Sequence, residues 1–174
     1  MKKRILSLLS TLLVMALLTS PVSAGRGIGF SATFSLGSLI AKGTATGVGQ
    51  TDVTFELKAS GPADITCINN GSNSVPGQSS PKITATGTQN VLGSDPETKN
   101  GRTPFITETD DPSLVAWDVA GCPNPNWIGL VDFIYWTDAK VSVYSTATHD
   151  LLVEHTYTCR TTRFPATVSC TLVQ

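Results

Sequence analysis

Apolar and polar residues alternate along most of the chain. Residues 52–59 give the clearest example, with valine, phenylalanine, leucine and alanine at the odd positions and polar residues at the even ones. A period of two residues places one face of a β-strand in a core and the other face in water. No window of a dozen residues has the apolar spacing of an amphipathic helix. The same alternation predicts strands within residues 28–36, 63–67, 139–143 and 166–172.

Residues 127–136 depart from this alternation, because they are apolar at almost every position except Asp132. Such a run predicts a central strand that is covered on both faces. Turn signals such as Asn70-Gly71 separate the apolar segments, and Asn-Gly accepts the positive φ of a tight hairpin. We therefore predict an all-β fold: a single antiparallel β-sandwich of Ig-like architecture, with about eight to ten strands, over residues 25–174.

The first residues of the chain have a different composition. Residues 2–4 are basic, residues 5–18 are apolar, and residues 22–24 place small side chains before a cleavage point. This order predicts a cleavable secretory signal peptide over residues 1–24. No second long apolar segment follows, so we expect a mature chain (residues 25–174) that is secreted, extracellular and without a membrane span.

The charge of the mature chain excludes one class of partner. The signal peptide contains three of the twelve Lys and Arg residues and no acidic residue, which leaves nine basic and thirteen acidic residues, a net charge of −4. A mildly acidic chain with no basic run is a poor match for nucleic acid or for an anionic membrane surface. We therefore expect no nucleic-acid partner.

Four cysteines remain in the mature chain, and an even number in an oxidising compartment predicts disulfides, with three possible connectivities. Cys159 and Cys170 flank residues 163–166, which are typical of a hairpin connection. Symmetric pairing about this connection places the two cysteines opposite each other. Cys159–Cys170 is therefore the best-supported bridge, which leaves Cys67–Cys122.

The sequence contains none of the common catalytic motifs: no nucleophile elbow, no His-Glu-x-x-His, no phosphate-binding loop and no dinucleotide fingerprint. We accordingly predict no enzyme, no cofactor and no catalytic residue. A small secreted hydrolase that uses His155 with Glu154 or Asp132 is an alternative. Neighbouring residues of a strand face opposite sides, which weakens the version with Glu154.

Metal ligands are equally sparse. The cysteines lack Cys-x-x-Cys spacing, and neither histidine stands at ligand spacing from them. The acidic residues of the loop at 108–111 could offer oxygens to calcium, with Asp95 and Glu97 from the preceding loop, but the run has no EF-hand pattern. We favour a solvated turn and predict no metal site.

Aromatic residues give the only indication of a ligand surface, because such rings can stack on sugars. Trp127 follows closely on Cys122 and is expected to pack against that bridge. Tyr135 and Trp136 point to opposite faces of one strand, so at least one of them is expected in the core. Trp117 and Trp136 are the candidate ligand-binding residues.

Four short segments, residues 67–71, 75–78, 99–101 and 120–127, form a characteristic layout, in which Gly-Cys-Pro-Asn-x-Asn-Trp at 121–127 is the most specific element. With this layout the chain resembles a set of small exported bacterial proteins of unknown function over most of its mature length. The resemblance implies a secreted, disulfide-linked, mostly β domain, and it implies no catalytic residues.

Together these features predict a non-catalytic secreted binding module for a cell-surface, matrix or polysaccharide partner. The prediction depends on the missing catalytic and cofactor motifs and on the aromatic set. Besides the hydrolase, a second alternative is a structural subunit of a surface assembly that associates through exposed edge strands.

Overall fold

The chain consists of β-strands and connections in the part that the structure describes. The computed structural model describes residues 28–36 and 38–173, so the predicted signal peptide, residues 1–24, lies outside the described residues. Eleven strands occur in this part, with no helix among them and hence no helix able to cross a membrane. The strands are β1 (Gly29–Ser35), β2 (Ile40–Thr46), β3 (Val53–Asn69), β4 (Ser74–Pro76), β5 (Lys82–Val91), β6 (Arg102–Glu108), β7 (Leu114–Val115), β8 (Trp127–Ile134), β9 (Asp138–Ser145), β10 (Leu151–Arg163) and β11 (Ala166–Leu172).

β3 is the longest strand and runs through both halves of the larger sheet. Residues 53–60 lie between β5 and β9, and the end of the strand lies between β4 and β8. Every second residue from Val53 to Cys67 is buried. The alternating runs at 52–59 and 63–67 therefore belong to one continuous strand of 17 residues.

A three-stranded sheet of β1, β2 and β6 packs against the first half of β3 and its neighbours. Phe105 of β6 lies between two other rings, with its centroid 4.4 Å from that of Phe55 and 5.1 Å from that of Phe30. Full burial of one such ring contributes about 2–3 kcal/mol. The predicted antiparallel sandwich is confirmed, with eleven described strands where eight to ten were expected.

The two sheets are joined along one side by the residues that follow β6. The backbone amide of Asp110 donates to the carbonyl oxygen of Thr86 in β5, at 2.8 Å. The buried hydroxyl of Thr109 accepts from the amide of Leu39, at 3.1 Å. Part of the acidic loop at 108–111 therefore serves as a structural junction between the sheets.

The second half of β3 has a small core of its own. Ile65 and Cys67 form its buried face, and the segment between β7 and β8 folds over them, bringing Ala120 and Cys122 into contact. The amide of Gly77 also donates to the carbonyl oxygen of Ile65, at 2.8 Å. This cover fixes one wall of the site described below.

Both predicted disulfides are present. Cys159 and Cys170 are directly opposite in the β10–β11 hairpin, in the symmetric register that the sequence predicts. Cys67 and Cys122 are 55 residues apart in sequence, and their bridge ties β3 to the covering segment. Their Cα atoms are 5.7 Å apart, a common distance for a disulfide.

The prediction that residues 127–136 form a strand covered on both faces is wrong in part. β8 pairs with β3 on one side and β7 on the other. One face packs on the small core, but Ile128 and Asp132 on the opposite face are exposed. The apolar residues on that face therefore point away from the core.

Candidate functional site

A cleft of about 460 Å³ lies at the end of the second half of β3. Its volume is within the range of small-ligand sites, about 300–1,000 Å³. We call it the Trp cleft, because two of the three tryptophans of the sequence line it. The lining residues are Ile68, Asn69, Asn70, Ala116, Trp117, Pro125, Asn126, Trp127 and Ile128.

One wall of the Trp cleft is built by the paired ends of β3 and β8. Asn69 is directly opposite Trp127, and Ile68 is directly opposite Ile128. Trp127 also packs against the small core, so its ring is held between that core and the cleft. The strand register therefore places the indole on the face of the small core and the two aliphatic side chains on the opposite face, so the cleft lies at the end of the sheet.

The other wall comes from the segment between β7 and β8. Trp117 stands on this segment and is 37% exposed. The amide of Cys122 donates to the carbonyl oxygen of Trp117 at 2.7 Å, and the amide of Ala120 donates to that of Ala116 at 2.9 Å. These bonds and the bridge from Cys122 to Cys67 hold the segment that carries Trp117 in place at the cleft.

Three asparagines surround the aromatic residues, and they have different roles. The side-chain oxygen of Asn69 accepts from the amides of Gly71 and Asn73, at 2.9 and 3.0 Å, so it holds the β3–β4 hairpin in shape. Asn70 and Asn126 are exposed at the edge of the cleft. Their side-chain amides offer both donors and acceptors to a ligand.

The Trp cleft carries no formal charge, because all nine residues that line it are uncharged. A ligand held there would be bound by apolar contact and by neutral hydrogen bonds. Such a lining suits an uncharged polyhydroxylated molecule better than an anion, which would lose its hydration without gaining a cationic partner.

Trp136, one of the two predicted ligand-binding residues, is 1% exposed and lies in the main core. The expectation that its ring is available to a ligand is therefore corrected. A β-bulge in β8 at Asp132, opposite the step from Asp64 to Ile65, reverses which face the following residues occupy. Ligand binding by Trp117 stays a prediction.

The sequence predicts that Trp127 packs against the Cys67–Cys122 bridge. Its half-buried ring does pack near that bridge, and it also lines the cleft. The sequence signal that could have found this role is the pair of polar turns, at residues 70–73 and 123–126, that come immediately after β3 and before β8.

The residues of the alternative hydrolase are not brought together. The carboxylate of Glu154 lies 3.0 Å from the ammonium group of Lys140 and 3.1 Å from the hydroxyl of Ser142. The hydrogen bond from Lys140, followed by that from Ser142, lowers the pKa of Glu154. Asp132 instead accepts from Thr66, at 2.7 Å.

His155 faces the core, on the opposite side of β10 from Glu154. Its ring meets that of Phe30 edge to face at 5.2 Å and lies 6.4 Å from that of Tyr157. The Nδ1 atom is buried and has no hydrogen-bond partner among residues 28–36 and 38–173. This environment is that of a packing residue.

A metal site is not formed by any part of the chain that the structure describes, since no three His, Cys, Asp or Glu side chains come together there. In the loops considered for calcium, Asp95 accepts from the backbone amide of Glu97 at 2.9 Å. That carboxylate stabilises its own turn.

Comparison of the chain with protein-family models, with curated proteins and with solved structures finds no match. The resemblance to small exported bacterial proteins therefore stays an expectation.

Proposed function

We propose that the protein is a non-catalytic extracellular binding module and that its Trp cleft binds a neutral polysaccharide. The observation that carries the proposal is that Trp117 and Trp127 both line one uncharged cleft, with exposed amides at its edge. The two disulfides are compatible with an extracellular location.

A sugar ring has two kinds of surface, and the Trp cleft has a complement for each. Its C–H groups are weakly positive and are attracted to the negative face of an indole ring. Its hydroxyl groups both donate and accept hydrogen bonds, as do the amides of Asn70 and Asn126. Trp side chains also lose little conformational entropy on binding, since they have only two rotatable side-chain bonds.

The first experiment is a pull-down of the purified protein on cellulose, chitin and immobilised laminarin and mannan, with tryptophan fluorescence as a second readout. We expect retention by at least one polymer and a change in emission from Trp117 and Trp127. Trp136, which is buried in the core, supplies a constant background.

The variant that tests the site is Trp117→Ala, because Trp117 is partly exposed and lies outside both cores. It should lose most of the retention. Leu92→Ala is the matched control, since Leu92 is 58% exposed and does not line the Trp cleft. Trp127→Phe keeps an aromatic ring against the small core and should weaken binding without unfolding the protein.

Failure of the wild-type protein to bind any of the polymers, with unchanged fluorescence, would overturn the proposal. Binding of a protein partner or self-association of the chain would then be the favoured function. Retention that Trp117→Ala leaves unchanged would also overturn the assignment of the site.

A further inference from the structure

β11 ends the larger sheet on one side, and its outer edge is open. From Ala166 to Leu172 it pairs with β10 alone. β1 comes close to it across the core, where Val168 and Cys170 pack, but among residues 28–36 and 38–173 no backbone hydrogen bond joins the two strands. An open edge presents a row of unpaired amide and carbonyl groups, which is a template for another strand.

The other edges of this sheet are short or covered. β4 has three residues and β7 has two. On β5, the amide of Asp110 already donates to the carbonyl oxygen of Thr86. β11 has seven residues, and it contains no charged side chain, no proline and no bulge, the features that commonly keep edge strands apart. In the described part of the larger sheet, its edge is therefore the one best suited to pairing with a further strand.

A hydrogen bond at the end of β11 shows which of its residues face the open edge. The amide of Val173 donates to the carbonyl oxygen of Thr156 in β10, at 2.8 Å. Successive residues of an antiparallel strand direct their amide and carbonyl groups to opposite sides, so the odd-numbered residues of β11 bond to β10. The residues that direct these groups to the open edge are Ala166, Val168, Cys170 and Leu172.

A second copy of β11 matches this edge when it pairs antiparallel about a two-fold axis at Ser169. Val168 of one copy then lies opposite Cys170 of the other, and Ala166 lies opposite Leu172. The four pairs exchange about eight hydrogen bonds, two for each pair. A shift of two residues in either direction leaves one pair fewer. The strand is therefore most complementary to itself in this register.

The same register covers exposed apolar side chains at both ends of the strand. Phe164 is 88% exposed, Leu172 is 44% exposed and Val173 is 51% exposed. Pairing about Ser169 places Val173 of one copy opposite Pro165 of the other, beside Phe164. The two-fold axis repeats this contact at the opposite end. β1, an edge of the smaller sheet, has no exposed apolar side chain of comparable size.

Charge does not oppose this pairing. In the middle of the interface the nearest charged side chain is Arg160 of β10, directly opposite Ser169. The two copies of Arg160 are then three strand spacings apart, about 14 Å at about 4.8 Å per strand. This exceeds the screening length of about 8 Å at physiological ionic strength, so their repulsion is weak. Arg163, near the hairpin tip, is already paired with Asp64 at 2.8 Å.

We propose that the protein forms a symmetric dimer in which the β11 strands of two copies pair about Ser169 and join the two larger sheets into one. The interface is the same patch on both copies, as a two-fold axis requires. None of the residues that line the Trp cleft belongs to β11, so dimerisation and polysaccharide binding are independent of each other.

The test is the mass of the purified protein, measured by sedimentation equilibrium over a range of concentrations. We expect twice the mass of one chain at high concentration and the mass of one chain on dilution. The double variant Thr167→Lys, Thr171→Lys should raise the dissociation constant of the dimer more than about tenfold, because each new lysine faces another lysine of the second copy. Thr167→Lys, Thr171→Glu should dimerise again, because it places lysine opposite glutamate.

The matched control is Thr84→Lys, Thr88→Lys, since these threonines are also exposed and four residues apart, on β5. It should dimerise as the wild type does. Ser169→Cys gives a second readout that does not depend on charge. Residue 169 faces its own copy in a non-hydrogen-bonded pair, where Cα atoms are about 4.5 Å apart, so oxidation should link the two chains through a disulfide. Thr88→Cys should run as a single chain on a non-reducing gel.

A wild-type protein with the mass of one chain at every concentration would overturn the proposal. A dimer that Thr167→Lys, Thr171→Lys leaves intact would overturn it as well, because the contact would then lie on another surface, such as the edge of β1. A dimer that Ser169→Cys does not cross-link would overturn the register about Ser169. Circular dichroism checks that each variant keeps its fold.

Discussion

The backbone amide of Cys122 donates a hydrogen bond of 2.7 Å to the carbonyl oxygen of Trp117. Because Cys122 is also bonded through sulfur to Cys67 of β3, the position of Trp117 depends on a covalent link to the strand that forms the opposite wall of the cleft. The bridge therefore connects the stability of the fold to the geometry of the site.

Removal of this bridge should affect stability and binding together. The double variant Cys67→Ala, Cys122→Ala should lose about 4 kcal/mol of the free energy of unfolding, as expected for a closed loop of this length. It should also bind polysaccharide more weakly at temperatures where it is still folded. Urea denaturation and the pull-down measure the two effects.

The matched control is the double variant Cys159→Ala, Cys170→Ala, which removes a bridge within the β10–β11 hairpin. This variant should lose about 3 kcal/mol of the free energy of unfolding, because the closed loop is shorter. The folded variant should still be retained on the polymer through contact at the Trp cleft. Equal loss of that retention in both double variants would contradict the link between Cys122 and Trp117.

Binding at the Trp cleft should be almost independent of salt. The lining is uncharged, so no ion pair forms with the ligand and few counterions are released. We expect the dissociation constant to change by less than about twofold between about 0.05 and about 0.5 M sodium chloride. A steep fall in affinity over this range would indicate an anionic ligand and contradict the assignment of a neutral polysaccharide.

Glu154 should make stability depend on pH in the acid range. Its pKa is lowered in the folded protein by hydrogen bonds from Lys140 and Ser142, so the folded state binds a proton less readily than the unfolded state. The resulting stabilisation is present above the unfolded value of 4.5 and is lost as the pH falls through the lower folded value. The pair is partly exposed, so its contribution is below about 1 kcal/mol.

Glu154→Gln tests this contribution. The variant should be slightly less stable than the wild type near neutral pH, and the difference should shrink at a pH well below 4.5. Urea denaturation of both proteins at the two pH values measures it. If wild type and variant differ in stability by the same amount at both pH values, the charge of Glu154 is not the source of the difference.

The junction between the two sheets should be sensitive to the size of residue 87. A Cβ atom at Gly87 would overlap the carbonyl oxygen of Glu108, so Gly87→Ala forces β5 and β6 apart. We expect a loss of about 1–3 kcal/mol, measured by urea denaturation. Thr88→Ala, at the next and exposed position, should change stability by less than about 0.5 kcal/mol. Similar effects of the two substitutions would contradict the close approach.

The sequence predicts those parts of the fold that depend on local pattern. The alternation of residues 52–59 assigns the faces of β3 correctly, because a buried face must repeat every second residue. The bridge between Cys159 and Cys170 is also predictable, since a hairpin brings residues at equal distances from its turn together. The continuation of β3 past Gly61 and Pro62 was not predictable from the same rules, because these residues usually mark turns.

The candidate site depends on features that a local pattern does not contain. Counting in steps of two from Trp127 places Trp136 on the outward face, but the bulge at Asp132 reverses the count and buries it. The presence of Trp117 and Trp127 at one cleft requires the fold of the covering segment and the bridge at Cys122. The apolar character of β8 on both faces was visible in the sequence, but the exposure of its outward face at Ile128 was not.

The 17-residue length of β3 has a mechanical consequence. A polymer bound in the Trp cleft, as we propose, would pull on the end of this strand near Asn69, and the tension would pass along a single backbone into residues 53–60. There the strand is hydrogen-bonded on both sides, to β5 and to β9. A load along the strand axis would act on all of these bonds at once, so they would have to shear together instead of opening one after another, and the proposed module would resist detachment from a polymer under tension.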